Sequence, residues 1–248
     1  MKIYELYKKL SQIIPEELSC PWDNDGIMCM PDENKCVNKV LLTLDVTEKA
    51  VEYAVKEKCD LIISHHPLIF KPIKSVSDKR LIRLIKNGIG VFSFHTRLDR
   101  VEGGVNTALA DILGLKNTER FGEDLLGVIG TLDDPVTDRE FALYVKEKLG
   151  VPFVEGVLSG KKCTKIALVG GDGDDYISSA CEKGADMYIS GSLGYNDMTD
   201  AVSCGMSILA AGHFYTENPV LCFLGKMING LDANIECLKF YCNEISVI

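Results

Sequence analysis

The 248-residue sequence contains no apolar run near the ~18 residues of a membrane span; Val40 to Leu44 and Leu61 to Ile63 are typical of its apolar stretches. Its first residues, MKIYELYKKLSQIIP, place Lys8 and Lys9 where a signal peptide needs an apolar core, so they read as an amphipathic helix and the expected location is cytoplasmic. Ten cysteines are scattered from Cys20 to Cys242 without a CxxC pair. A disulfide framework belongs to small secreted chains, so these thiols read as reduced and packed as small hydrophobes. Cys222 has no sequence neighbour that would make it a low-pKa nucleophile. Positive charge is scarce: 27 Lys and Arg against 36 Asp and Glu give a net charge of −9. That balance excludes a generic attraction to nucleic acid or to an anionic membrane, and neither is expected as a partner. A P-loop lysine and a G-x-S-x-G elbow are both missing, and so is any linker rich in Pro, Gly or Ser.

What the chain does contain is an alternation of helix and strand patterns. Helical spacing covers Lys2–Ile13, ended by Pro15, and Thr47 caps a helix that runs to about Lys58. Further helices are read at Asp78–Asn87 (closed by Gly88), Gly104–Leu113 (closed by Gly114), Asp138–Leu149, Tyr176–Lys183, Asp197–Ser203 and Pro219–Ile228. Strands are read at Val40–Asp45, Asp60–Ser64, Ile89–Phe94, Lys165–Val169, Met187–Ser190, Ile208–Ala211 and Ile235–Tyr241, with a crossing strand and turn within Gly122–Asp134. Strands alternating with helices of this length predict an α/β fold with mainly parallel or mixed sheets flanked by helices. Two domains are expected, 1–125 and 126–219, with the segment from about 220 to 248 returning to the first. KVLLTLDVTEKAVEYAVKEKCDLIISHH and KIALVGGDGDDYISSACEKGADMYISGS share one strand-turn-helix-strand phrase, which reads either as a duplicated domain or, the reading preferred here, as two βαβ units of common design.

The four histidines, His65, His66, His95 and His213, each fall at or just after the end of a predicted strand. In open α/β sheets the carboxyl ends of the strands are where ligands bind. The adjacent pair His65-His66 precedes Pro67, which biases His66 away from helix. Two carboxylates share one spacing, His95 to Asp99 and His213 to Glu217, and residues four apart lie on one face of a helical turn. The candidate metal ligands are therefore His65, His66, Asp99, His213 and Glu217, with His95 in reserve. Mixed imidazole and carboxylate donors suit zinc, iron, manganese or nickel. Five or six ligands exceed the needs of one open catalytic ion. Two divalent ions fit better, and such a pair activates water and clamps oxyanions.

At this point the sequence resembles the dinuclear-metal proteins known as GTP cyclohydrolase 1 type 2 homologues, or Ngg-interacting-factor-three-like proteins. The matching phrases are Trp22-Asp23-Asn24-Asp25-Gly26, Leu44-Asp45-Val46-Thr47, Ser64-His65-His66-Pro67-Leu68-Ile69-Phe70, His95-Thr96-x-Leu98-Asp99, Gly103-Gly104-Val105-Asn106, Gly184-Ala185-Asp186 and Gly212-His213-x-x-Thr216-Glu217. The resemblance implies that His66 and Asp99 hold one metal, His65 and His213 the other, and that Glu217 bridges them. It places His95 beside the site as a proton-moving or substrate-facing group, and it implies two α/β domains and a ring-shaped homohexamer. Arg97 stands where the family often has Asn, and Ser190-Gly191-Ser192 and Asn196 stand where many members have Thr-Gly-Asp and a later His. Arg97 either faces the cavity, where it would favour an anionic substrate, or is a solvated surface residue. Trp22, with Asp23 and Asn24, either lines the cavity or is a core tryptophan with a turn behind it. Gly170-Gly171-Asp172-Gly173 resembles a phosphate-binding turn, but Tyr176 replaces the third glycine, so it reads as a plain tight turn. The expected activity is metal-dependent hydrolysis of a small anionic molecule, with a nucleotide as the first class to try. His95 and Glu217 are the catalytic residues in that reading. The alternative is a non-catalytic metal-binding scaffold or regulatory ring acting through protein partners.

Overall fold

The computed structural model describes residues 1–245, and among them the chain divides into two compact units. The first comprises Met1–Val101 together with Leu221–Glu244, and the second holds Glu102–Val220. In the first run lie α1 (Ile3–Ile13), β1 (Gly26–Cys29), β2 (Lys39–Thr43), α2 (Glu48–Lys56), β3 (Leu61–Ser64), α3 (Lys79–Lys86), β4 (Gly90–Ser93) and α4 (Thr96–Arg100). The second unit carries α5 (Val105–Ile112), β5 (Lys116–Phe121), β6 (Gly127–Thr137), α6 (Asp138–Leu149), β7 (Glu155–Val157), β8 (Lys162–Asp172), α7 (Ile177–Glu182), β9 (Met187–Ser192), α8 (Tyr195–Ala201), β10 (Ser207–Ala210) and α9 (His213–Glu217). The chain ends through α10 (Val220–Leu231) and β11 (Glu236–Lys239).

The sheet of the first unit has the order β1-β4-β3-β2-β11. Strands β2, β3, β4 and β11 are parallel, and β1 closes one edge antiparallel to β4. Residues 61–64 and 90–93 are buried at every position, as expected of parallel strands covered on both faces. One face packs Leu41, Ile62 and Val91 against Val51 and Ala54 of α2 and Leu81 and Leu84 of α3. Thr47 accepts a hydrogen bond from the Ala50 N–H and starts α2, while Asp78 caps α3 through the Arg80 N–H.

The second sheet runs β5-β6-β8-β9-β10-β7. Its central trio β8-β9-β10 is parallel, whereas β6 and β7 join it antiparallel. The fold is thus mixed α/β with two helix-flanked sheets. The region read as a crossing strand and turn, Gly122–Asp134, holds the turn at Gly122 (φ +87°) and most of β6, whose antiparallel hairpin partner β5 precedes it and was not expected. Helix α6 has a complete capping box: the Glu140 N–H donates to Thr137 Oγ1, and the Glu140 carboxylate accepts from the Thr137 N–H. Edge strands β1 and β7 and the five-residue helices α4 and α9 were not separately expected, being too short for a periodic signal to accumulate. No disulfide joins any of the ten cysteines. Among the described residues no helix is long and apolar enough to cross a membrane.

Candidate metal site

In the first unit, His65 and His66 sit at the carboxyl end of β3, and His95 caps α4 just after β4. The two strands are parallel neighbours with Ser64 opposite Ser93, so pairing alone sets these ends side by side. The side-chain nitrogens of His65, His66 and His95 lie close enough for one ion to take a donor atom from each. Ring centroids are 4.9 Å apart for His65 and His66, 5.3 Å for His65 and His95, and 5.8 Å for His66 and His95.

Each of these imidazoles is oriented by an acceptor on its Nδ1. His65 Nδ1 lies 3.0 Å from the Phe94 carbonyl, His66 Nδ1 2.9 Å from Asp45 Oδ1, and His95 Nδ1 2.8 Å from Asp23 Oδ1. A carbonyl or an ionised carboxylate can only accept, so a neutral ring in any of these places carries its proton on Nδ1 and its lone pair on Nε2. This outer-shell pattern is how metal-ligating histidines are held. Asp99 is buried on α4, with Oδ1 3.6 Å from His65 Nε2. A lone pair facing a carboxylate oxygen at that range is an arrangement that a bound cation stabilises, and the nitrogen and oxygen donors present fit a borderline divalent ion.

Asp23 is the organising residue behind His95. Its carboxylate also accepts from the Thr96 N–H at 3.0 Å and from the Thr96 hydroxyl at 2.6 Å. Burial works against the charge of Asp23, but the His95 and Thr96 hydrogen bonds outweigh it and hold the carboxyl well below the usual carboxylate range. Trp22, immediately before it, is not a core residue: its side chain is exposed, 6.2 Å from His95 between ring centroids.

In the second unit, His213 and Glu217 lie one turn apart on α9, with Nε2 and Oε1 separated by 3.1 Å. The carboxylate is buried and the imidazole more open. Three glycines allow this short helix to rest on the strand ends. Gly212 (φ +83°) turns the chain into α9, a Cβ on Gly191 would meet the His213 backbone, and a Cβ on Gly171 (φ +73°) would collide with Glu217 Oε1. Thr216, fully buried, accepts from the Gly171 N–H at 3.1 Å and locks α9 to β8. Gly170 and Gly171, read as part of a tight turn, lie instead within β8, where its register against β9 shifts, and the bare Gly171 leaves room for the Glu217 carboxylate. Asp172 beyond it is pushed up by burial, with the nearby Asp174 adding to the effect.

Arg97 meets neither expectation held for it. Its side chain is fully buried inside the first unit, where Nε lies 3.1 Å from Asp25 Oδ2, Nη1 donates to the Ile14 carbonyl, and the guanidinium stacks 4.6 Å from the centre of the Phe94 ring. A buried arginine needs such partners, and having them it is committed to structure and unavailable to an anionic substrate. Asp45 and Asp23, which orient His66 and His95, lie outside the reach of ligand spacing, because each is far in sequence from the histidine it meets.

Two helix-flanked α/β sheets, with histidines and carboxylates at strand ends that could hold a metal ion, define the class of protein. The chain belongs to the Duf34/NIF3 (NGG1p interacting factor 3) family, whose model matches residues 1–244. It is 34% identical over 250 residues to a GTP cyclohydrolase 1 type 2 homolog of Clostridium perfringens, covering 95% of each chain. It is 30% identical to the Protein NIF3 homolog of Schizosaccharomyces pombe, covering 93% of this chain and 92% of that one. Among solved structures, Staphylococcus aureus protein SA1388 superposes with a TM-score of 0.90 at 28% identity, covering 100% and 99% of the two chains. Reduced HcgD from Methanocaldococcus jannaschii gives 0.82 at 28% identity over 96% and 97%.

Proposed function

We propose that this chain is a dinuclear metal-dependent hydrolase of a small anionic molecule, with a nucleotide the first class to test. In this reading His66 and Asp99 would hold one ion, His65 and His213 the other, and Glu217 would serve both. When bound, a pair of divalent ions supplies a water nucleophile at neutral pH and neutralises charge developing on the substrate. Zinc, iron, manganese and nickel all suit the donors.

The observation that carries this reading is the shared orientation of His65, His66 and His95, each with Nδ1 set against an acceptor on Phe94, Asp45 or Asp23, which leaves Nε2 for an ion. Structural histidines have no reason to be oriented alike three times at adjacent strand ends. His95, held by Asp23 through its Nδ1, is placed to accept and return a proton beside the site. The curated relatives named GTP cyclohydrolase 1 type 2 homolog support a purine nucleotide as the first candidate substrate. The homohexamer and the cytoplasmic location belong to the same proposal.

The test is metal content by mass spectrometry, on protein purified without a nickel column or chelator, beside a His65→Ala, Glu217→Ala double variant. About two transition-metal ions per chain, lost in the variant, are expected. Absence of metal after reconstitution with zinc, manganese and iron would overturn the reading. Turnover abolished by Glu217→Ala while the oligomer persists would separate the enzyme from a scaffold.

A further inference from the structure

The sole tryptophan of the chain is exposed on the first unit, at 64% relative accessibility, and Phe70 beside it is 46% exposed. Large aromatic side chains gain most from burial, so two left in water next to each other call for a reason. Their rings are 6.2 Å apart, and each stands edge-on to His95, Trp22 at 6.2 Å and 76°, Phe70 at 6.4 Å and 87°.

The backbone that carries these rings is also held in place. Trp22 follows the turn Cys20–Asp23, where the Asp23 N–H donates to the Cys20 carbonyl, and Asp23 is tied in turn to His95 and Thr96. The Cys20 N–H donates to Thr96 Oγ1 at 2.9 Å. On the other side the Asn24 amide donates to the Ile69 carbonyl, the residue before Phe70. The polar groups of one short segment, 20–24, thus anchor both exposed rings against the histidine cluster, and a rigid apolar surface binds with little ordering cost.

We propose that Trp22 and Phe70 form a platform on which the planar heteroaromatic ring of the substrate stacks, setting that ring beside His95. This deepens the hydrolase reading and rests on it for the chemistry, but binding of the ring is measurable by itself. The occupant is a flat ring because the exposed surface is two large aromatic side chains inclined at 57°, one to stack on and one to meet its edge, with the Asp23 carboxylate and the Asn24 amide N–H turned to protein partners. Stacking of this kind tolerates different bases and selects against molecules without a ring.

Because Trp22 is the only tryptophan, indole emission excited beyond tyrosine absorption reports this position alone. The experiment titrates the full-length zinc-loaded protein with guanosine 5′-monophosphate and, separately, with ribose 5-phosphate, which has the same phosphate and sugar but no base. Saturable quenching by the nucleotide and none by the sugar phosphate is expected. In Phe70→Ala the Kd should rise about 5- to 100-fold, the range of one lost stacking partner, with partial recovery in Phe70→Tyr. Equal responses to both ligands, no response to the nucleotide, or an unchanged Kd in Phe70→Ala would overturn the platform. So would a blue shift of Trp22 emission with protein concentration alone, which would mean that a second copy covers this face. Metal bound without quenching sinks the platform and leaves the metal reading; quenching in protein that takes up no metal on reconstitution does the reverse.

Discussion

Gly171 shows how one residue can set the chemistry of another. Its φ of +73° is costly for any residue with a Cβ, and that Cβ would collide with the Glu217 carboxylate. Gly171→Ala is expected to lose about 1–3 kcal/mol of stability in urea titration and to displace Glu217, so that metal content falls even where the variant stays folded. A stable variant with full metal content would refute the link. Cys222 is a second residue whose character comes from the fold. Burial pushes its thiol up, but hydrogen bonds with Tyr241 and Lys239, and the positive charge of Lys239, outweigh it and bring the pKa below the ordinary thiol value. Lys239 Nζ is 3.3 Å and Tyr241 Oη 3.7 Å from the sulfur. The sequence shows nothing of this, because both partners lie on or after β11, far along the chain from Cys222. A lowered pKa means more thiolate near neutrality, so alkylation of Cys222 by iodoacetamide should reach half its plateau rate at lower pH than an ordinary thiol. Lys239→Met should move that midpoint upward; an unmoved midpoint would show that the lysine is irrelevant.

At the scale of elements, the two sheets repeat one plan. The order β1-β4-β3-β2 in the first unit matches β7-β10-β9-β8 in the second, each with three consecutive parallel strands and an antiparallel edge. In both, the third parallel strand leads into a five-residue helix carrying the histidine and, four residues later, the carboxylate: His95 and Asp99 at α4, His213 and Glu217 at α9. The common βαβ phrase and the shared spacing were legible in the sequence, since both are local. The edge strands and the orienting carboxylates were not, because they depend on which distant segments meet. Arg97 belongs to the second kind. It ties α4 to the carbonyl of Ile14 at the end of α1 and pairs with Asp25, itself almost fully buried. Burial raises the Asp25 pKa, and Arg97 is the main influence opposing it. Arg97→Met would remove that opposition and leave a buried carboxylate without its counter-charge, at a cost of about 3–5 kcal/mol at neutral pH. The sign follows from linkage: a carboxyl whose folded pKa is raised contributes stability below its unfolded pKa and loses it as pH rises through the folded one. The deficit of Arg97→Met against the parent should therefore be large at pH 7 and narrow as pH falls toward the acid range, and Asp25→Asn should relieve part of it. A deficit independent of pH would assign the loss to packing against Phe94 instead.

For the molecule as a whole, the path of the chain makes the two units unequal as folding problems. Residues 102–220 form a continuous unit with its own six-stranded sheet and two apolar clusters, one on Leu168 and Ile189 and the other on Val169 and Tyr188. The first unit is interrupted: its last strand, β11, pairs with β2 through Cys237 opposite Val40 and Leu238 opposite Leu41, and follows the entire second unit in sequence. Residues 1–101 alone would present the β2 edge, Lys39–Thr43, unpaired, and would lose Phe240 from Tyr53, whose rings are 5.1 Å apart. Expressed separately, 102–220 should give a soluble fragment with a cooperative denaturant transition. Residues 1–101 should aggregate or unfold without cooperativity, and adding 221–245 through a short flexible linker should restore a single transition. A cooperative, monomeric 1–101 would show that β11 is dispensable to its sheet. The same fragments bear on the metal assignment, because His65, His66, His95 and Asp99 lie on one and His213 and Glu217 on the other. If the proposed centre draws ligands from both, neither folded fragment will retain two ions at the affinity of the intact chain, whereas a repaired first unit that binds its full complement would place the whole centre on the three histidines and Asp99.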